Sequence, residues 1–238
     1  MNASCNDCKH LEFLGVECAW PAAACRPAAP VRRPRRIQRV FQLAAAAFLL
    51  IAVWQFGQAG YIHAKAWLAQ HLISEAWSRT LAGETQVKTW AWADTWPVAR
   101  LRVPGRDVER YVLAGSNGRT IAFGPGHLFG TAEPGIPGNS VIGAHRDTHF
   151  AFLQWLDDGE LIELETPTGQ VHSYRVTQRA VVDKHDTRVL AAHPGERRLT
   201  LVTCYPFDAL RAGGPLRYVV TAERVPDRLP SPLLHAAL

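Results

Sequence analysis

The sequence predicts an all-β domain carried behind one N-terminal membrane helix. Three observations predict this. Short apolar segments recur from about residue 97 to residue 222, separated by clusters of Gly, Pro, Asn and Asp. Helical periodicity is strongest before residue 83. An uncharged apolar run, Val40 to Gly60, follows a cluster of arginines. With 238 residues, 47% of them hydrophobic, the chain can form one globular domain plus additional segments.

Residues 1–39 read as a Cys- and Arg-rich tail. Residues 1–40 carry seven Lys and Arg against three acidic residues, while the remainder carries 19 basic and 18 acidic residues. The formal charge of +5 therefore describes the tail. A nucleic-acid partner is not expected, because the globular part lacks clustered Lys and Arg. Cys5, Cys8, Cys18 and Cys25 all precede the arginines. A four-thiolate zinc site would need two tightly spaced pairs, and only Cys5 and Cys8 are so spaced. The tail reads instead as a disordered Ala- and Pro-rich segment with incidental cysteines, or as the product of a start codon placed too early.

Residues 40–60 read as a transmembrane anchor. Their length suits a hydrocarbon slab of about 30 Å at about 1.5 Å per residue. Trp54 and Tyr61 suit the interface, and Arg32 to Arg39 lie just before the span. The positive-inside rule then places the N-terminus in the cytoplasm and the C-terminal domain outside. A cleaved signal peptide is the rival, with Ala64-Lys65-Ala66 as its cleavage site. That tripeptide lies too far beyond the apolar core, which favours an uncleaved anchor.

Residues 61–94 form a juxtamembrane helix and linker. Ala64, Trp67, Leu68, Leu72, Ala76, Trp77 and Leu81 recur mostly at three- and four-residue steps, predicting a helix over 61–82. Trp90, Trp92 and Trp96 read as packing or membrane-surface residues. The main globular domain is expected over residues 95–238. Strands are predicted at Ala99–Val103, Arg110–Ala114, Ser140–Ala144, Leu161–Glu165, Val171–Val182, Leu199–Thr203 and Arg217–Ala222. Thr120 to Gly138 reads as loop with one helical turn, and Phe150, Leu153 and Leu156 suggest a brief helix. About eight short strands with few helices favour a closed barrel or a sandwich.

Cys204 is the one cysteine beyond the tail, at the end of the apolar segment Leu199–Thr203. His145 ends the segment Ser140–Ala144. A thiol attacks as thiolate, and its ordinary pKa is about 8.5, so it needs a neighbouring imidazole or guanidinium. Arg217 opens the following segment. If the last two strands pair antiparallel, Arg217 lies opposite Cys204 and can donate to a developing oxyanion. Each residue alone has an ordinary reading: a core thiol, a satisfied histidine, a surface arginine. Their joint placement is what points to thiol-based acyl transfer.

The surrounding words resemble the sortases. Thr200-Leu-Val-Thr-Cys204 matches the family's TLxTC motif at each fixed position, and Val141-Ile-Gly-Ala-His145 is similar to the small-residue strand end before its histidine. Arg146-Asp-Thr-His-Phe150, Trp92 to Leu101, Phe123 to Leu128 and Pro134 to Ser140 resemble the class D-like, single-target sortases of proteobacteria. One departure is Gly143-Ala144, where that subgroup has Ala-Gly. The resemblance covers about residues 90–222. It implies an eight-stranded β-barrel with short helices and a cysteine transpeptidase anchored in the inner (cytoplasmic) membrane, its catalytic domain periplasmic. It implies Cys204 as nucleophile on the Thr carbonyl of an LPxTG-like C-terminal signal, His145 as proton carrier and Arg217 as oxyanion or substrate holder. The partners it implies are a secreted protein carrying that signal and an amine acceptor. Thr203, His127 and Ala144 are the expected substrate-binding residues.

No metal or cofactor is expected. His145 and His149 are four apart, but a metal pair at that spacing belongs on a helix, and the local pattern is β. Asp147 is placed to pair with Arg146 or to cap the next turn. Specificity is expected from loop shapes such as Lys184–Pro194. Two alternatives compete with this reading. One is a different extracytoplasmic cysteine peptidase or transpeptidase, against which stand Thr203 and Tyr205 flanking Cys204 and a histidine preceding the cysteine. The other is a membrane-tethered binding domain with a degenerate site.

Overall fold

The structure is a computed structural model that describes residues 35–211 and 213–226. The expected zinc-or-disorder question at Cys5, Cys8, Cys18 and Cys25 lies outside those residues. The chain divides into two units, residues 1–58 and 59–238. Helix α1, Arg35–Leu81, is one continuous element of 47 residues. At 1.5 Å per residue it is about 70 Å long. It is long and apolar enough to cross a membrane.

In the second unit the last turns of α1 bury Ala69, Ile73, Ala76 and Trp77. Their spacing of four, three and one places them on one face. Trp67 and Leu68, which share the expected apolar stripe, are instead 70% and 49% exposed. Packing thus begins one turn later than the periodicity suggests. Gln70 Nε2 donates to the Phe123 carbonyl at 2.7 Å. The helix stops at Gly83, whose φ of 101° lies in the left-handed region. Trp90 then sets its ring edge-on to Phe123 at 4.8 Å, while Trp92 is 85% exposed.

Eight strands follow: β1 (Pro97–Val103), β2 (Val108–Ala114), β3 (Gly126–His127), β4 (Gly138–Gly143), β5 (Leu161–Glu165), β6 (Val171–Asp183), β7 (Arg197–Tyr205) and β8 (Leu216–Arg224). They close a barrel in the order β1-β2-β3-β4-β7-β8-β6-β5. In this order each strand has a neighbour on both sides. β1 alternates strictly, with Ala99, Leu101 and Val103 turned to the core. β5 contributes Ile162 and Leu164, and β7 contributes Leu199 and Leu201. The expected brief helix is a 3₁₀ turn, Ala151–Trp155, flanked by Phe150 and Leu156, and both of these with Leu153 are fully buried.

β3 is the strand that the sequence pattern does not announce. It has two residues, pairs parallel with β2 through Leu113 and Gly126, and pairs antiparallel with β4 through His127 and Ile142. Its composition follows from crowding. A Cβ on Gly126 would stand 2.2 Å from the Gly115 carbonyl oxygen. Only glycine fits, so the position cannot carry the β-branched residue that would mark a strand.

Gly126→Ala is therefore expected to cost about 2 kcal/mol or more, because the neighbour is backbone and cannot yield. Gly118→Ala, where nothing lies within 4 Å, is the control and should be near neutral. Chemical denaturation of both variants measures the difference.

Candidate active site

β7 lies between two partners of opposite direction. It pairs parallel with β4, ending at Gly143 opposite Val202, and antiparallel with β8. Alternation along β7 buries Leu199, Leu201 and Thr203 and leaves Val202 and Cys204 half-buried on the other face. Cys204 is a free thiol. The β7–β8 register sets Cys204 directly opposite Arg217. Residues opposite one another in an antiparallel pair share a face.

The parallel ladder with β4 continues for one further bond, from Ala144 N to the Val202 carbonyl at 3.2 Å. The buried Thr203 hydroxyl then donates to the Ala144 carbonyl at 2.8 Å. β4 stops two residues short of the level of the thiol, and His145 lies in the coil that follows it. His145 is exposed, and it is not among the residues lining the cleft beside the thiol. Arg217 is half-buried, and its Nη1 donates to the carbonyls of Gly214 and Leu216, both at 2.8 Å. A guanidinium has five donors, so Nε and Nη2 retain capacity for a ligand.

The cleft has a volume of about 430 Å³, within the range of small-ligand sites. Its floor is Val141, Gly143, Ala144, Val202, Thr203 and Cys204. Arg217 lies at one side, and the segment from Asp186 to Leu190 forms a wall. That wall belongs to the 184–196 connection, which contains a 3₁₀ turn, Thr187–Leu190. The Asp186 side chain accepts from Arg188 N and so caps the turn. A free thiol opposite a guanidinium, with a histidine beyond the end of the neighbouring strand, is chemistry suited to nucleophilic attack on a carbonyl.

Of the expected substrate-binding residues, Ala144 and Thr203 line this cleft and His127 does not. His127 is 4% exposed and borders a different hollow. Its Nε2 lies 2.9 Å from the Ala132 carbonyl and 3.2 Å from the Thr131 hydroxyl. These contacts fold the β3–β4 connection onto itself. Burial pushes the His127 imidazole below its ordinary range, against weaker support from the Ala132 carbonyl and Glu133. His149 is lowered as well, mainly by burial and further by Arg110 and His145. It faces a second hollow, between α1 and β2.

Two buried polar residues have functions that no local pattern announces. Arg146, 6% exposed, donates from Nη2 to the carbonyls of Ala209 and Arg211, both at 2.8 Å. It therefore holds the β7–β8 connection, which the expected pairing with Asp147 would not do. Both residues lie in the turn after β4, where Asp147 is exposed while Arg146 is buried. Asn139, 3% exposed, bonds to the β6–β7 connection. Among the described residues no group of three or more His, Cys, Asp or Glu is assembled for a metal.

A sortase-domain family model matches residues 101–225. Sortase D of Bacillus subtilis (strain 168) is 30% identical over 125 residues, which covers 52% of this chain and 62% of that protein. The match therefore spans less than two thirds of that relative's length. The Sortase D5 transpeptidase of Clostridium perfringens aligns with a TM-score of 0.50 and 26% identity, over 64% of this chain and 88% of that one. Sortase A from Corynebacterium diphtheriae shares the fold, with a TM-score of 0.51 at 24% identity over 66% of this chain and 84% of that one.

His127 should make the fold sensitive to acid. Its folded pKa is depressed, so the stabilisation is present above the unfolded value of about 6.5 and is lost as pH falls through the folded value. His149 acts in the same direction. Urea midpoints measured from pH 7.5 down to pH 5 should fall, and His127→Gln should flatten that slope in part. An unchanged slope in the variant would remove His127 from this account.

Proposed function

The chain belongs to the sortase family, and from that premise we propose that it is a membrane-anchored cysteine transpeptidase of the class D-like kind. The observation that carries the proposal is the β7–β8 register, which pairs Cys204 with Arg217. The substrate is a secreted protein bearing an LPxTG-like C-terminal signal, and the acceptor is an amine. The apolar part of α1 anchors the chain in the cytoplasmic membrane, with the N-terminus inside and the barrel outside.

The Cys204 thiolate attacks the signal's Thr carbonyl carbon and forms a tetrahedral oxyanion. Donors of Arg217 stabilise that charge. The carbon–nitrogen bond breaks, His145 gives its proton to the departing amine, and a thioester remains on Cys204. The acceptor amine then adds to the thioester carbonyl and loses a proton to His145. The carbon–sulfur bond breaks and the thiolate returns. Thr203 and Ala144 tie the ends of β7 and β4 together, and Ala144 lines the cleft that would receive the peptide.

A full-length chain in detergent should cleave a quenched-fluorescent peptide containing Leu-Pro-Ala-Thr-Gly. Cys204→Ala should abolish turnover while leaving the thermal midpoint unchanged. Arg217→Lys should lower kcat/KM by about 10²–10³, because an ammonium cannot reproduce the planar fork of donors. Near-normal turnover in Arg217→Lys would contradict the role given to the guanidinium.

A further inference from the structure

The 13-residue connection from Lys184 to Glu196 supplies one wall of the cleft, yet it has little structure of its own beyond the turn Thr187–Leu190. A connection of that length needs an external tie to hold one shape. Its ends are tied: Lys184 N donates to the Pro215 carbonyl, and Gly138 N donates to the Glu196 carbonyl. His193 meets Arg198 of β7 near the far end. Asp186 N donates to the Asp183 carbonyl at the end of β6, and from Thr187 to Ala191, among the described residues, the hydrogen bonds that reach the barrel come from one side chain. Asn139 Nδ2 donates to the Val189 carbonyl at 3.0 Å and to the Ala191 carbonyl at 3.2 Å. Its Oδ1 accepts from the buried Thr200 hydroxyl at 2.7 Å.

The chemistry fixes the orientation of this amide. Two carbonyl oxygens demand donors, so the nitrogen must face the connection and the oxygen must face Thr200. The Thr200 hydroxyl, rooted on β7 four residues before Cys204, prevents the amide from turning over. Asn139 lies on β4 opposite Arg198, six residues before His145. One buried triad thus joins the two strands that end at the proposed reactive groups to the wall that would flank a bound peptide.

Resting on the transpeptidase reading above, we infer that Asn139 is a positioning residue. Its side-chain amide fixes the turn 187–190 as a preformed wall of the cleft and so sets how tightly the sorting-signal peptide is held. It touches neither the thiol nor the imidazole, so its loss acts on binding and not on chemistry. A wall that must be ordered when the peptide arrives weakens apparent affinity by the fraction of time it is out of place.

The test uses the full chain in detergent with the Leu-Pro-Ala-Thr-Gly reporter peptide, in Asn139→Ala, Asn139→Asp, Thr200→Val and Thr200→Ser. Asn139→Asp keeps the size but turns a donor into a carboxylate facing two carbonyls. Both Asn139 variants should raise KM on the order of tenfold and leave kcat within about twofold. Thr200→Val should shift KM in the same direction by less, and Thr200→Ser, which keeps the hydroxyl, should restore it. Amide hydrogen exchange over residues 186–191 should accelerate in step with KM, while iodoacetamide alkylation of Cys204, followed by mass spectrometry, should proceed at the parental rate. A fall in kcat with KM unchanged, or unchanged exchange over 186–191, would overturn the inference. If Asn139→Ala does not fold, the Thr200 pair carries the same comparison. If the parental chain leaves the peptide uncut, the transpeptidase reading fails, and the exchange measurement still decides whether Asn139 holds the wall.

Discussion

The hydrogen bond from the Thr203 hydroxyl to the Ala144 carbonyl, 2.8 Å long and buried, joins two parallel strands just where their backbone ladder stops. Parallel pairs have slanted, evenly spaced bonds, and nothing in the backbone keeps their ends together once the ladder is over. Here the last backbone bond is Ala144 N to Val202 O. The hydroxyl adds one more connection, one residue before His145 and one before Cys204. A buried hydroxyl with a partner contributes about 1 kcal/mol, and a carbonyl left without one costs more than that. The separation of the two strand ends therefore depends on a residue whose side chain does no chemistry itself. β8 on the other side needs no such device, because its antiparallel ladder with β7 runs past Cys204 to the Tyr205–Leu216 pair.

Much of this was legible in the sequence because the relevant signals are local. The alternation in Ala99–Val103 and the apolar run Leu199–Thr203 mark β1 and β7 directly, and the structure only extends their ends. The position of Arg217 opposite Cys204 follows once an antiparallel return is assumed. β3 was not legible, since Gly126 is dictated by the Gly115 carbonyl just past the end of the neighbouring β2 and not by any preference of its own. His127 resembled a groove residue because it sits in a Gly- and Pro-rich stretch. Its partners Thr131 and Ala132 are close in sequence, but no pattern indicates that the ring turns inward to meet them. The contacts of Asn139 and Arg146 reach 50 to 65 residues along the chain, a separation at which periodicity carries no information.

Those two residues share a design. Each is buried, each belongs to the β4 segment or its immediate continuation, and each donates to a pair of carbonyls in a connection beside β7. Arg146 grips the connection after β7, and Asn139 grips the one before it. Buried donors with carbonyl partners hold more firmly than exposed ion pairs, whose net contribution is about 0–1 kcal/mol. The surface pairs on this domain, such as Arg179 with Asp158, lie on long side chains open to solvent. The two connections flanking the thiol are thus fixed from inside the barrel.

The charges at the cleft wall point to how a ligand would be chosen. Asp186 lines the cleft, and an ionised carboxylate there could favour a cationic peptide. Its hydrogen bonds are directed elsewhere. The Arg188 side chain reaches it at 2.8 and 2.6 Å, and Arg188 N donates at 3.1 Å. The bonds from the Arg188 side chain, helped by the backbone N–H, hold its pKa down to about 2. The carboxylate is therefore ionised at any physiological pH, but its charge is matched within its own turn. What remains for a ligand on that wall is Thr187, Val189, Leu190 and the shape of the turn. A wall that offers apolar surface and a fixed outline selects by fit, and fit demands that the wall stay in place. This makes the anchoring of that turn to β4 a condition of selectivity and not only of stability.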